Sequence, residues 1–158
     1  MRLLPSTLVA TLTVALSTMA NAETGDEWLC KAKHVTGFSY KAGQWTGTMF
    51  RATDEYIIRP LTEEEREDTL TKIFWPDSNY GVFRQGATYV YFGCTESFSA
   101  VGYLYCGNHS SFFGFSNRNL RYVHSQQGGY VAVVPGLTDI TNESADTPYI
   151  EIGTCQKI

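Results

Sequence analysis

Four cysteines, Cys30, Cys94, Cys106 and Cys155, are the side chains best placed to form bonds of their own. Their spacing contains no Cys-x-x-Cys, so redox cycling is not indicated. An even set of widely separated thiols is most simply read as two disulfides. Three pairings are conceivable. The favoured one joins Cys94 to Cys106, which are close in sequence, and Cys30 to Cys155, because chain ends of compact domains tend to lie together. Cys155 poses a parity problem, since it shares its strand face with Glu151 while Ile150 and Ile152 form the more apolar face. A bend near Gly153 would resolve it.

Acid–base and nucleophilic chemistry is present in residue types but not in pattern. His34, His109 and His124 are isolated, and serines and carboxylates are scattered. The sequence has no Gly-x-Ser-x-Gly elbow and no His-Glu-x-x-His helix. No metal-ligand spacing connects the histidines. Asn108-His109-Ser110-Ser111 reads as loop chemistry rather than as a His–Ser site. Paired carboxylates for glycoside cleavage would not show in sequence, because their separation is set by the fold. No catalytic residue, metal ligand or cofactor is therefore assigned.

The more informative constellation is tyrosine. In Tyr89-Val90-Tyr91-Phe92-Gly93-Cys94, strand alternation separates Tyr89 and Tyr91 from Val90, Phe92 and Cys94. In Tyr103-Leu104-Tyr105-Cys106 it separates Tyr103 and Tyr105 from Leu104 and Cys106. If the cysteines point inward, Tyr89, Tyr91, Tyr103 and Tyr105 face outward and form a binding patch, each with a large ring and a wet hydroxyl. The competing reading covers them with a second layer as core.

The elements that must carry these residues are mostly strands. Three Trp, ten Tyr and nine Phe occur in short runs punctuated by Gly, Asn and Ser, as antiparallel β structure requires. Expected strands include Trp28–Val35, Asp54–Arg59, Gly81–Arg84, Ala87–Cys94, Val101–Cys106, Ser111–Phe115, Leu120–His124, Tyr130–Val134 and Tyr149–Cys155. Phe38 to Phe50 reads as a hairpin turning at Gly43. Thr62 with Glu65 makes a capping box for one short helix over about 62–73, with Leu70, Ile73 and Phe74 as its apolar edge. Residues 139–148 form the longest polar stretch, an expected exposed loop. The fold class expected is mainly β, a single antiparallel barrel or sandwich-like domain with one short helix, stapled by disulfides.

Residues 1–22 read as a cleaved signal peptide: Arg2, an apolar run too short to span a bilayer, then Ala20-Asn21-Ala22. Residues 23–158 would then form the mature domain, periplasmic or secreted, without stable membrane insertion after cleavage. A formal net charge of −4 without basic clusters argues against a nucleic-acid partner.

The closing stretches, Phe115-Ser116-Asn117-Arg118-Asn119-Leu120-Arg121-Tyr122, Gly129-Tyr130 and Thr147 to Cys155, resemble those of small exported proteins of proteobacteria with no assigned function. The resemblance implies a bacterial, exported origin and transfers no catalytic residue. Periplasmic lysozyme inhibitors share size and β character, but this sequence lacks their Ser-Gly-x-x-Tyr loop. The functional expectation is a non-catalytic binding or inhibitor-type module, its partner a protein or glycan in the periplasm or outside the cell. The alternative is a small secreted hydrolase whose acid and base meet only in the fold.

Overall fold

A computed structural model describes residues 25–94, 97–107, 110–132 and 141–158; the expected signal peptide, Asn108 and His109 lie outside them. The aromatic and β-branched runs form nine strands in one antiparallel sheet: β1 (Trp28–Lys41), β2 (Gln44–Phe50), β3 (Glu55–Pro60), β4 (Tyr80–Arg84), β5 (Phe92–Cys94), β6 (Tyr103–Gly107), β7 (Ser111–Ser116), β8 (Arg121–Gln126) and β9 (Tyr149–Lys157). The order β5-β4-β3-β1-β9-β8-β7-β6 curls into a nearly closed barrel, and β2 pairs with the far half of β1. The fold is mainly β, as the residue pattern implies.

Both disulfides follow the favoured pairing. Cys30 and Cys155 are directly opposed on β1 and β9, with Cα atoms 3.9 Å apart. Cys94 and Cys106 bridge β5 and β6, the two ends of the strand order. The barrel is thus closed at that seam by a covalent bond where a hydrogen-bonded ladder would otherwise stand. Inside it Trp28, Ile58, Val82, Phe92, Leu104, Phe113 and Phe115 pack as one buried cluster around the two bridges.

The parity problem at Cys155 is settled by β1 and not by Gly153. Cys155, Gly153 and Glu151 all face inward on β9, and Ile150 and Ile152 face solvent. β1 absorbs the irregularity instead, with a bulge between Ala32 and His34 that shifts its register against β9. Gly153 has a packing role: a Cβ there would lie 2.2 Å from the Lys31 carbonyl oxygen and 2.4 Å from the Tyr122 ring. Gly153→Ala is therefore expected to lower the unfolding free energy by roughly 1–3 kcal/mol, the usual cost of overpacking. Urea unfolding checks this; an unchanged midpoint would refute the close approach.

Three local expectations need correction. The helix over 62–73 is two helices, α1 (Glu63–Glu67) and α2 (Thr69–Phe74). Thr62 does make the capping box with Glu65, but Asp68 turns extended (φ −58°, ψ 139°) and accepts the Leu70 and Thr71 N–H groups as a second cap. A short carboxylate that competes for backbone donors breaks the helix at that point. Leu70, Ile73 and Phe74 are exposed, and Thr71 is the inward residue of α2.

The strand expected at Tyr130–Val134 begins instead as a helical turn, α3 (Gly128–Ala132), with Val133 and Val134 outside the described residues. Of Ala87–Cys94 only Phe92–Cys94 is strand. The hairpin at Gly43 is present, with Ala42 (φ 49°) and Gly43 (φ 84°) both left-handed, as a tight two-residue turn demands. Within residues 141–148, Asn142 accepts a hydrogen bond from the Trp45 indole (3.2 Å) and Pro148 accepts one from the Phe38 N–H (2.9 Å).

Candidate functional site

The four tyrosines do not share one surface. Tyr103 and Tyr105 stand on the outer face of β6, 43 % and 51 % exposed, with ring centroids 6.3 Å apart and planes 30° from parallel. Phe112 on β7 extends the ladder, its ring 5.8 Å from Tyr105 and inclined by 35°. Strand alternation puts Phe113 and Phe115 into the core and leaves Phe112 outside. Gly114, directly opposite Tyr105, lets the Phe112 ring lie over the strand; a Cβ there would sit 2.8 Å from that ring.

The same outer face continues from Gly114 across Val123 of β8 to Ile152 of β9, its register partner, with Ile150 two residues along β9 opposite Ser125. Beside the ladder runs a shallow groove of about 410 Å³, whose walls also include Ser116, Asn119 and Arg121.

Tyr89 and Tyr91 lie elsewhere. Their segment, residues 85–91, is turn and bend, so alternation does not apply there. Tyr89 is exposed and lines a separate groove of about 880 Å³ with Leu70, Phe74 and Trp75. Tyr91 is half-buried and turned inward: it stacks on Tyr56 (6.3 Å, 17°) and meets the His124 ring edge-on at 6.0 Å. Arg84 lies over its ring at 4.4 Å and donates to its hydroxyl at 2.9 Å.

Tyr91 belongs to a polar cluster inside the barrel that sequence reading missed. His124 and Glu151 are opposed on β8 and β9 and are 0 % and 1 % exposed. Tyr122 donates to Glu151 Oε1 at 2.8 Å. The Tyr56 hydroxyl lies 3.1 Å from His124 Nδ1 and 3.4 Å from Asp54 Oδ2. With the imidazole proton on Nδ1, His124 donates to Tyr56 and Tyr56 donates to Asp54, a relay in which each donor has an acceptor. His124 Nε2 and Glu151 Oε2 have no hydrogen-bond partner among the described residues.

Burial sets the charge states. It holds the His124 imidazole down at about 4, helped by the Arg84 cation and opposed by Asp54. Burial also raises the Glu151 carboxyl, against the Tyr122 hydrogen bond and with help from Asp54. Both groups are therefore biased toward their neutral forms. Tyr56, Tyr122 and Tyr149 are pushed above the ordinary phenol range, chiefly by burial.

Chemically the cluster holds two carboxylates, an imidazole and phenols. The rings of Tyr91 and Tyr149 nevertheless pack edge-on against the His124 ring, at 6.0 and 5.2 Å. His34 is exposed on β1, opposite the outward Ile152 of β9, on the side of the sheet away from the buried cluster. No group of three or more His, Cys, Asp or Glu among the described residues could hold a metal ion.

The fold and its surfaces define a disulfide-closed antiparallel β-barrel with a buried polar cluster and an outward aromatic ladder. Comparison with protein-family models, characterised proteins and solved structures found no match. Two disulfides, and no helix among the described residues long and apolar enough to cross a membrane, are consistent with an exported protein.

Proposed function

We propose that the chain is exported by cleavage of residues 1–22, like the small proteobacterial proteins it resembles, and acts as a non-catalytic binding or inhibitor-type module. Its contact surface is the outer face of β6–β9. The observation that carries this reading is the Tyr103–Tyr105–Phe112 ladder, three large rings held side by side in solvent where they contribute little to the core. Contiguous exposed apolar surface of this kind marks interaction sites, and rigid aromatic rings give contact area at low entropic cost.

The hydrolase alternative rests on Asp54, His124 and Glu151, and the burial of His124 and Glu151 beneath packed rings weighs against it. The test is capture from periplasmic extract or culture medium with the oxidised protein as bait. Tyr103→Ser with Tyr105→Ser is expected to leave the melting temperature within about 2 °C, as for other surface substitutions, and to remove the captured species. Unfolding of the double variant, or undiminished capture, would reject the surface.

A further inference from the structure

We propose that the groove beside the ladder binds a carboxylate-bearing glycan, an inference that rests on the reading of the β6–β9 face as the contact surface. The first argument is shape and ring chemistry. Sugar rings present flat C–H faces, and aromatic rings offer a negative π-face to such weakly positive hydrogens. Tyr103, Tyr105 and Phe112 repeat at 6.3 and 5.8 Å with similar tilt, so consecutive sugar units could each rest on one ring. The groove is shallow, as suits a chain laid along it.

The second argument is hydrogen bonding. A purely apolar partner would leave the polar wall unmatched. Asn119 Oδ1 accepts the Arg121 N–H, which leaves its amide Nδ2 to donate outward. With the tyrosine hydroxyls and Arg121 it supplies the directional partners that sugar hydroxyls need.

Charge is the third. The chain is net −4, and its densest acidic run, Glu63, Glu64, Glu65 and Glu67, lies on α1 and not on this face. Apart from Lys157 at the end of β9, which pairs with Asp26, the exposed face of β6, β7, β8 and β9 carries one charged residue among those described, Arg121, whose guanidinium has no ion-pair partner among the described residues. One unpaired guanidinium in the groove wall, with no carboxylate opposite, fits the singly charged, planar carboxylate of an acidic sugar.

Titration calorimetry of the oxidised protein with oligogalacturonate, and with neutral cello-oligosaccharide as control, tests this. Oligogalacturonate is expected to bind at least ten-fold more tightly than the neutral chain, and to weaken as salt rises. Tyr105→Ala should cut its affinity at least ten-fold, Tyr105→Trp should restore it, and Arg121→Gln should erase the preference over the neutral chain. Circular dichroism and the melting temperature confirm that each variant folds.

Equal affinity for both glycans, or insensitivity to Tyr105→Ala, would overturn the inference. If neither glycan binds but Tyr103→Ser with Tyr105→Ser still abolishes capture of a protein, the glycan is wrong and the contact face stands. If those substitutions also leave capture intact, both fall.

Discussion

Replacing Cys30 and Cys155 by alanine is expected to remove about 5 kcal/mol of stability, because the bond closes a loop with a sequence separation of 125 in the unfolded chain. Single domains have only roughly 5–15 kcal/mol in total, so the variant should be partly unfolded at 37 °C. The two cysteines sit within the continuous β1–β9 ladder, and nothing in the native pairing depends on the bond. The loss should therefore come from the unfolded state, and hydrogen-exchange protection should fall by a similar amount across the sheet, with no opening confined to β1 and β9.

Removing Cys94 and Cys106 should differ in kind. The loop is shorter, with a separation of 12, and the same reasoning gives about 3 kcal/mol. Here the bond is what ties β5 to β6, so protection should fall locally in those strands. Equilibrium urea unfolding and exchange mapping of both variants check this. A larger global loss from the short loop, or local opening of β1 and β9 in the first variant, would contradict the argument.

The second large effect is acid lability centred on His124. Its folded pKa of about 4 lies below the ordinary imidazole value of 6.5, so unfolded chains bind this proton more readily than folded ones. The stability it contributes is present above pH 6.5 and is lost as pH falls through about 4. At roughly 1.4 kcal/mol per pKa unit the loss is about 3 kcal/mol. Glu151 works in the opposite sense. Its raised pKa means that its contribution is present in acid and is lost as pH rises through the elevated value.

His124→Gln, neutral at every pH and able to bond Tyr56, should flatten the stability profile between pH 6.5 and 4. Glu151→Gln, which retains a group for Tyr122 to bond, should raise stability at neutral pH. Unfolding free energies measured across pH 4–8 decide it; an unchanged slope in His124→Gln would show that the imidazole is not the acid trigger.

Much of the scaffold is legible in the residues because its signals are local. Gly43 announces a left-handed turn, Thr62 and Glu65 bond each other within one helical turn, and alternation in Tyr103–Cys106 separates ring from bridge correctly. The failures come where a local rule meets a tertiary constraint. Alternation was carried back from Phe92 through Tyr91 and Tyr89, but a strand period has no meaning in a turn, and Tyr91 swings inward. Asp68 reads as one more acid of a helix start, although its carboxylate is a better cap than a helix residue.

The polar cluster was invisible for another reason: Asp54, Tyr56, Arg84, Tyr122, His124 and Glu151 come from four strands and the approach to one of them. Cys155 must be buried if it is bridged, and Glu151 shares its parity. Following the cysteine, instead of the apolarity of Ile150 and Ile152, places a carboxylate inside the barrel.

The covalent seam between β5 and β6 has a consequence for how the chain survives before it is oxidised. A barrel normally hides every strand border by pairing it with a neighbour. Here no backbone ladder among the described residues joins the two borders, so a chain with free thiols would offer the unsatisfied amides of both strands to any other extended segment. Newly made copies meeting one another in that state could pair edge to edge, and such pairing leads to aggregates. Timely thiol oxidation would on this view act as a solubility safeguard as well as a source of stability, and yield should depend on oxidant more steeply than the modest entropy of a twelve-residue loop suggests.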